Sequence, residues 1–366
     1  MRNLIRLVAG ATVLVSATAL AMGPALADPP SGVTPKETDV VSVGSDTSEY
    51  VYDQFSFDYN KTHSTGPRLY SWDALNPKTG QTDNIVTKSG CTAIPRPNGA
   101  TAGLTAFFTN AKTSDKKHFC IDFVRSARAR ASTDPPKGPG GVLFVTLAKD
   151  AVTYATNKTS NAPGNLTTAQ LTAIYNCTAT TWNQVGGTST ATIQPFLPQT
   201  GSGLRSSFLK DIGVTAPGAC VNSSVQQNEG TDPQFTNNPN AMVPYSVAKY
   251  ISQVFHSAKC GVKPTSTQNK FGCDEHGNFV LHNINGTAPT VGTGTNTKIN
   301  PKFSPKFILP ISSVVRWAST TDHIPGYLEK FFASATRHGW LCASTTAKQD
   351  LLKYGLLPTP FCGTGS

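Results

Sequence analysis

The sequence predicts an α/β fold in two lobes. Three observations carry that expectation. Short β-branched or apolar runs alternate along the chain with amphipathic stretches of helical period. The chain has 366 residues, more than one ordinary core accommodates. Where an apolar run hands over to an amphipathic stretch, the joint is rich in Gly, Ser and Thr, as at Gly44–Ser48 and Thr200–Ser202.

Residues 1–27 read as a secretory signal peptide. Arg2 and Arg6 precede an apolar run, and Ala25-Leu26-Ala27 supplies small residues before Asp28, so cleavage is expected after Ala27. Thr12, Ser16, Thr18 and Gly23 interrupt the apolar run, whereas a spanning helix needs about 20 mostly apolar residues. No cysteine near the cleavage point offers a lipid attachment site. Residues 28–38 form a polar leader containing Pro29, Pro30 and Pro35.

A strand follows at Val40–Val43, whose valines are β-branched. Thr47 or Ser48 can cap the helix that carries Val51, Phe55 and Tyr59. Residues 60–118 read as irregular, with a helix near 99–111. Phe119–Arg130 reads as a strand running into a loop. Gly140–Asn157 reads as one or two strands with Asp150 at the turn. Thr167 or Thr168 starts a helix with Leu171, Ile174 and Tyr175 on one face. A strand at 191–199 leads to a helix carrying Phe208, Leu209 and Ile212, which Gly213 ends. Residues 240–255 read as strand then helix, 257–300 as a hairpin-like insertion, and 307–318 as a strand. Two closing helices are expected over 324–339 and 344–355. Trp72, Trp182, Trp317 and Trp340 are expected to pack rather than to form ligand platforms.

Charged residues make up only 14%, and the net charge is +10. The basic residues are scattered, which argues against a nucleic-acid stripe and for a general attraction to anions. All eight cysteines follow residue 27, and an even count in an exported chain reads as disulfides. The expected pairing joins neighbours in sequence: Cys91–Cys120, Cys177–Cys220, Cys260–Cys273 and Cys342–Cys362. There is no Cys-x-x-Cys, and the seven histidines (His63, His118, His256, His276, His282, His323, His338) do not cluster with cysteines, so no metal site is expected. The histidines sit among polar residues and are read as surface groups.

The stretch Pro198–Gly213 carries the chemistry. Gly201 and Gly203 let the backbone approach a ligand closely, and the first N–H groups of a helix lack internal partners. Thr200, Ser202 and Ser206 add hydroxyls, and Arg205 adds a planar cationic fork. This is a candidate anion seat. It is not a Walker loop, because the Lys-Ser/Thr ending is missing. Two further turns share its character: Gly44–Tyr50, with Thr47 and Ser48, and the segment after Asp122-Phe123, with Arg125, Ser126 and Arg128.

In the order of these motifs the chain resembles the secreted phosphate-type periplasmic (solute) binding proteins of ABC transporters, in the variety of high-G+C Gram-positive bacteria. The resemblance spans most of the mature chain. It runs through Val43–Phe55, Cys120–Arg128, Ala148–Thr156, Leu166–Gly187, Gln199–Phe208, Ala241–Ile251 and Gly339–Pro358. It implies a two-lobed periplasmic-binding-protein-like fold (type II) with the ligand in the cleft between lobes. The expected division is 39–145 plus 246–366 for the first lobe and 146–245 for the second. It also implies a small anionic ligand, an ABC permease as partner, no cofactor and a monomer. The candidate ligand-binding residues are Thr47, Ser48, Arg125, Ser126, Thr200, Gly201, Ser202, Gly203, Arg205 and Ser246.

The chain departs from the family pattern at three places. Pro198 stands where phosphate binders carry an arginine, Leu204 where they carry a threonine, and Ala127 near the aspartate that accepts a proton from hydrogen phosphate. That carboxylate favours a protonated oxyanion over sulfate, so its loss opens the site to another oxyanion or to a larger phosphorylated or hydroxylated ligand. Asp122 reads as a structural strand residue. No Gly-x-Ser-x-Gly elbow or clustered acid pair is present, so the expectation is a binding protein and not an enzyme. A secreted surface or interaction protein reusing the fold is the alternative, with a phosphoester hydrolase behind it.

Overall fold

The computed structural model describes residues 28–30, 32–255, 275–319, 323–332, 339–363 and 365. The expected signal peptide, Cys260–Cys273, His256, His338 and residues 333–338 of the first closing helix lie outside the described residues.

The first elements are β1 (Val40–Gly44), α1 (Glu49–Thr62), β2 (Leu69–Ser71), β3 (Asn84–Ile85), β4 (Ile94–Pro95), α2 (Ala100–Phe108) and β5 (Phe123–Ser126). Then come β6 (Val142–Asn157), β7 (Asn165–Leu166), α3 (Thr168–Tyr175), β8 (Gln194–Pro198), α4 (Gly203–Ile212) and β9 (Asn222–Val225). They are followed by β10 (Ala241–Ser246), α5 (Val247–Phe255), β11 (Phe279–Leu281), β12 (Asn283–Ile284), β13 (Thr290–Val291) and β14 (Lys298–Ile299). The chain closes with β15 (Ile308–Arg316), α6 (Trp340–Ala343), α7 (Thr345–Lys353) and β16 (Leu357–Pro358).

The main sheet runs β2-β1-β5-β15-β6-β10-β8-β9, with β11 and β16 also on β6. Each end is a parallel group: β1 with β2 and β5, and β8 with β9 and β10. Antiparallel strands join the two groups. The first part of β6, up to Ala151, pairs with β15, and the part from Val152 pairs with β10. A single long strand therefore crosses from one half to the other. The fold is two-lobed α/β. Residues 279–284 pair with the far end of β6 and with β7.

The apolar periodicities bury as expected. Val51, Phe55 and Tyr59 of α1 are buried, and the aromatic face meets Trp340 and Phe331. Thr167 caps α3 through a capping box with Gln170, and the buried face is Leu171, Ile174 and Tyr175. Ser202 caps α4, accepting from Arg205 N, and Gly213 ends it with a left-handed φ of 74°. Trp182 is fully buried, its indole N–H donating to Asn240 Oδ1. Among the described residues, Cys91–Cys120, Cys177–Cys220 and Cys342–Cys362 pair as expected.

Three expectations change. Asp150 is not at a turn: it sits within β6, opposite Leu309, fully buried. Its carboxylate accepts the Ser246 hydroxyl (2.6 Å) and the amides of Ala248 (2.8 Å) and Ala151, so it caps α5 from across the sheet. Burial pushes it up to about 6 against those bonds. The helix expected over 324–339 is, among the described residues, a 3-10 turn at Gly326–Leu328. His282 is no free surface group; it stacks on Tyr154 and hydrogen-bonds Thr156, and burial lowers it to about 4.

Candidate functional site

In a parallel β/α arrangement the carboxyl ends of the strands face a crevice, because each strand there hands over to a turn and a helix N-terminus. Here the carboxyl ends of β1 and β5 in one half, and of β8, β9 and β10 in the other, supply the segments that meet. They are Ser45–Ser48, Ala127–Arg128, Gln199–Ser202, Gln226–Asn228 and the start of α5. The turn before α2, Asn98–Gly99, joins them.

Gln227 ties the two halves. The Ser202 hydroxyl donates to its Oε1. Its Nε2 donates to Thr47 Oγ1 (2.7 Å) and to Asp46 Oδ1 (3.0 Å). Thus Thr47 and Ser202, predicted from turns more than 150 residues apart, lie on the two ends of one amide. A second strut runs from Gln199 Nε2 to Asn98 Oδ1 (2.6 Å) and from Asn98 Nδ2 to Gln226 Oε1 (3.0 Å). The backbones also touch: Thr101 N donates to Gly201 O (3.1 Å). Gly99 has φ 110°, and a Cβ on it would collide with the Gly201 carbonyl. Gly203 packs against Ala100 and Arg128, where a Cβ would lie 2.9 Å from the Ala100 methyl. Ser48 is buried, and its hydroxyl has no hydrogen-bond partner among the described residues.

The other predicted residues have different surroundings. Arg125 is fully buried in β5; its Nε donates to Ser45 O and its Nη1 to Ser71 Oγ (2.7 Å). It lies among buried acids. Burial raises Asp53 and Asp73 well above the carboxylate range, and the charge of Arg125 opposes that rise. The Ser126 hydroxyl donates to Arg128 O, and Arg128 forks onto Asp134. Arg205 Nη1 donates to Pro198 O, within its own turn. Thr200 is the exposed residue of that turn. The Ser246 amide donates to Asn228 Oδ1, which links it to the network at one remove. Asp122 accepts Val41 N and pairs with buried Lys88 (2.6 Å), a structural role.

Sequence reasoning missed Asp46, Asn98, Gly99, Gln226, Gln227, Asn228 and Lys249. Asp46 lay inside a turn already singled out. The run of three amide side chains at 226–228 was the available signal for the rest. Asp46 is fully buried at the centre of the network. Lys249 Nζ is 3.2 Å from Asp46 O and 3.1 Å from Glu49 Oε1. Away from this region, Glu37, Asp115 and His118 form a partly exposed cluster with His118 Nδ1 3.3 Å from Asp115; it is an acidic surface feature.

A family model described as a PBP superfamily domain matches residues 71–270. The chain belongs to the PBP superfamily. Among solved structures, PBP-type relatives align over nearly their whole length. An ABC-type phosphate transport receptor from Vibrio cholerae aligns with TM-score 0.55 and 16% identity, over 88% of this chain and 100% of its own. A substrate-binding protein with bound phosphate from Clostridium perfringens aligns with TM-score 0.57 and 14% identity, over 88% and 99%. At these identities the likeness is one of fold. No curated protein sequence matches the chain. Among the described residues, no helix is long and apolar enough to cross a membrane.

Proposed function

We propose that this PBP-superfamily chain is a secreted solute-binding protein, not an enzyme, that captures phosphate or a phosphate-like oxyanion between its lobes. In this reading it serves an ABC permease as a monomer. Thr47, Ser48, Ser202 and Gly203 contact the solute, with Thr200, Gly201 and Ser246 at its margins. Arg125, Ser126 and Arg205 orient the turns from behind. Lobe opening admits the solute and closure buries it. The observation that supports the reading is the Ser202–Gln227–Thr47 bridge, which joins two hydroxyl-bearing strand-to-helix turns.

A second reading has its own support. The same bridge closes the lobes by protein–protein bonds alone, which suits a surface or interaction protein that keeps the fold without transport. A thermal-shift series with phosphate, sulfate and phosphorylated metabolites separates the two. A captured solute at a hundredfold excess over its Kd stabilises the folded state by about 2.7 kcal/mol. For the responding solute, Ser202→Ala is expected to weaken binding by roughly 1 kcal/mol or more. No response to any oxyanion ends the first reading.

A further inference from the structure

Asp46 holds a position that an oxyanion would compete for. Its Oδ1 accepts from Gln227 Nε2 (3.0 Å) and Asn228 Nδ2 (2.9 Å), and its Oδ2 from Gln226 Nε2 (3.0 Å). Lys249 Nζ stands 3.8 Å from Oδ1. So three consecutive amides that follow β9 in the second half converge on one carboxylate carried by the turn after β1 in the first. The carboxylate is fully buried. Such a convergence of neutral donors and one ammonium is the shell a small bound anion receives. Moreover, the two protons of the Gln227 amide go to Asp46 and to Thr47, so the carboxylate and the proposed solute hydroxyl share one donor group.

We propose that Asp46 is an internal ligand. Its carboxylate latches the two lobes together and takes the amide donors that an entering oxyanion needs. Two negative charges cannot share this buried space cheaply, since their repulsion is little screened there. Solute entry therefore requires the turn carrying Asp46 to give up Gln226, Gln227 and Asn228. The latch stands on the structure alone; the identity of the competitor rests on the function proposed above.

The test uses the mature full chain, with circular dichroism to verify folding. Small-angle scattering gives the radius of gyration without solute, and calorimetry gives the affinity for inorganic phosphate and for sulfate. Asp46→Ala is expected to enlarge the radius of gyration relative to wild type. It is also expected to tighten oxyanion binding by roughly tenfold or more, because the competing closed state no longer has to be undone. Gln226→Ala, which removes one latch bond from the opposite lobe, is expected to open the molecule to a lesser degree, and it carries the test should Asp46→Ala not fold. A folded Asp46→Ala, or Gln226→Ala in its place, that keeps the wild-type radius and affinity overturns the latch while leaving the oxyanion reading intact. If the variants open but neither anion binds any of the proteins, the latch stands and the oxyanion reading falls.

Discussion

Lys249→Met is the sharpest probe of the electrostatics under the site. The ammonium is buried, 3.1 Å from Glu49 Oε1, 3.2 Å from Asp46 O and 3.7 Å from the centre of the Tyr50 ring. Methionine keeps most of the stem and removes the charge. Breaking one partner out of a buried pair costs about 3–5 kcal/mol, because the other charge stays behind uncompensated. The cost depends on pH in a definite direction. Burial already raises the Glu49 carboxyl above its ordinary value, and Lys249 is the main force holding it down. Without Lys249 the folded-state value climbs further. An acid whose folded pKa exceeds its unfolded one binds more protons when folded, so its contribution to stability declines as pH rises between the two values. In the variant that window reaches higher pH. The deficit against wild type is therefore greater at pH 8 than at pH 5. Urea denaturation of both proteins at the two pH values measures it. Adding Glu49→Gln to Lys249→Met should recover part of the loss at pH 8. An equal deficit at both pH values, or one under about 1 kcal/mol at pH 8, refutes the assignment of Lys249 as counter-charge to Glu49.

Two further outcomes follow from the covalent and backbone geometry. The Cys342–Cys362 bridge closes a separation of 20 residues that includes α7 and β16. Replacing both cysteines by serine is expected to cost about 3 kcal/mol by chain entropy, read as a lower Tm in calorimetry. Gly99→Ala is expected to lose more than a typical glycine replacement. Its φ of 110° and ψ of 165° cost a side-chain residue about 1–3 kcal/mol by themselves. The new Cβ also meets the Gly201 carbonyl and lies 3.0 Å from Ser202 N, which forces the two turns apart. Gly213→Ala is the control: φ is 74°, with no atom near the added Cβ. It should lower stability without changing solute affinity, whereas Gly99→Ala should lower both.

What the sequence disclosed was whatever local chemistry decides. The limits of α4 could be read because Ser202 and Gly213 act on their own helix ends, and α3 because Thr167 and Gln170 satisfy each other three residues apart. The Gly-Ser-Thr turns were visible for the same reason: strand-to-helix hand-overs with close backbone contact exclude bulk, whatever lies opposite. Asp150 misled because a charged residue within an apolar run looks like a turn. Its reason for lying in β6 is 98 residues away, at the amide of Ala248. Arg125 illustrates a different limit. The planar fork that suits an oxyanion also suits a carbonyl, a hydroxyl and neighbouring acids, and here those internal partners claim Nε and Nη1.

The residues that join the lobes were the hardest to find, and the cause is physical. Asp46 means nothing without Gln226, Gln227 and Asn228, about 180 residues further on. Neither partner's local pattern points to the other, since a lone acid in a turn and a short amide run both read as solvated surface. Only the return of β9 beside β8, with β6 carrying the chain between the halves, brings them together. The donor-bearing turns of this chain are thus recognisable in its sequence. Under the proposed latch, whether those turns are open to a guest depends on a carboxylate whose partners come together only in the folded molecule, and a site predicted from donor residues alone overlooks the acceptor that already engages them.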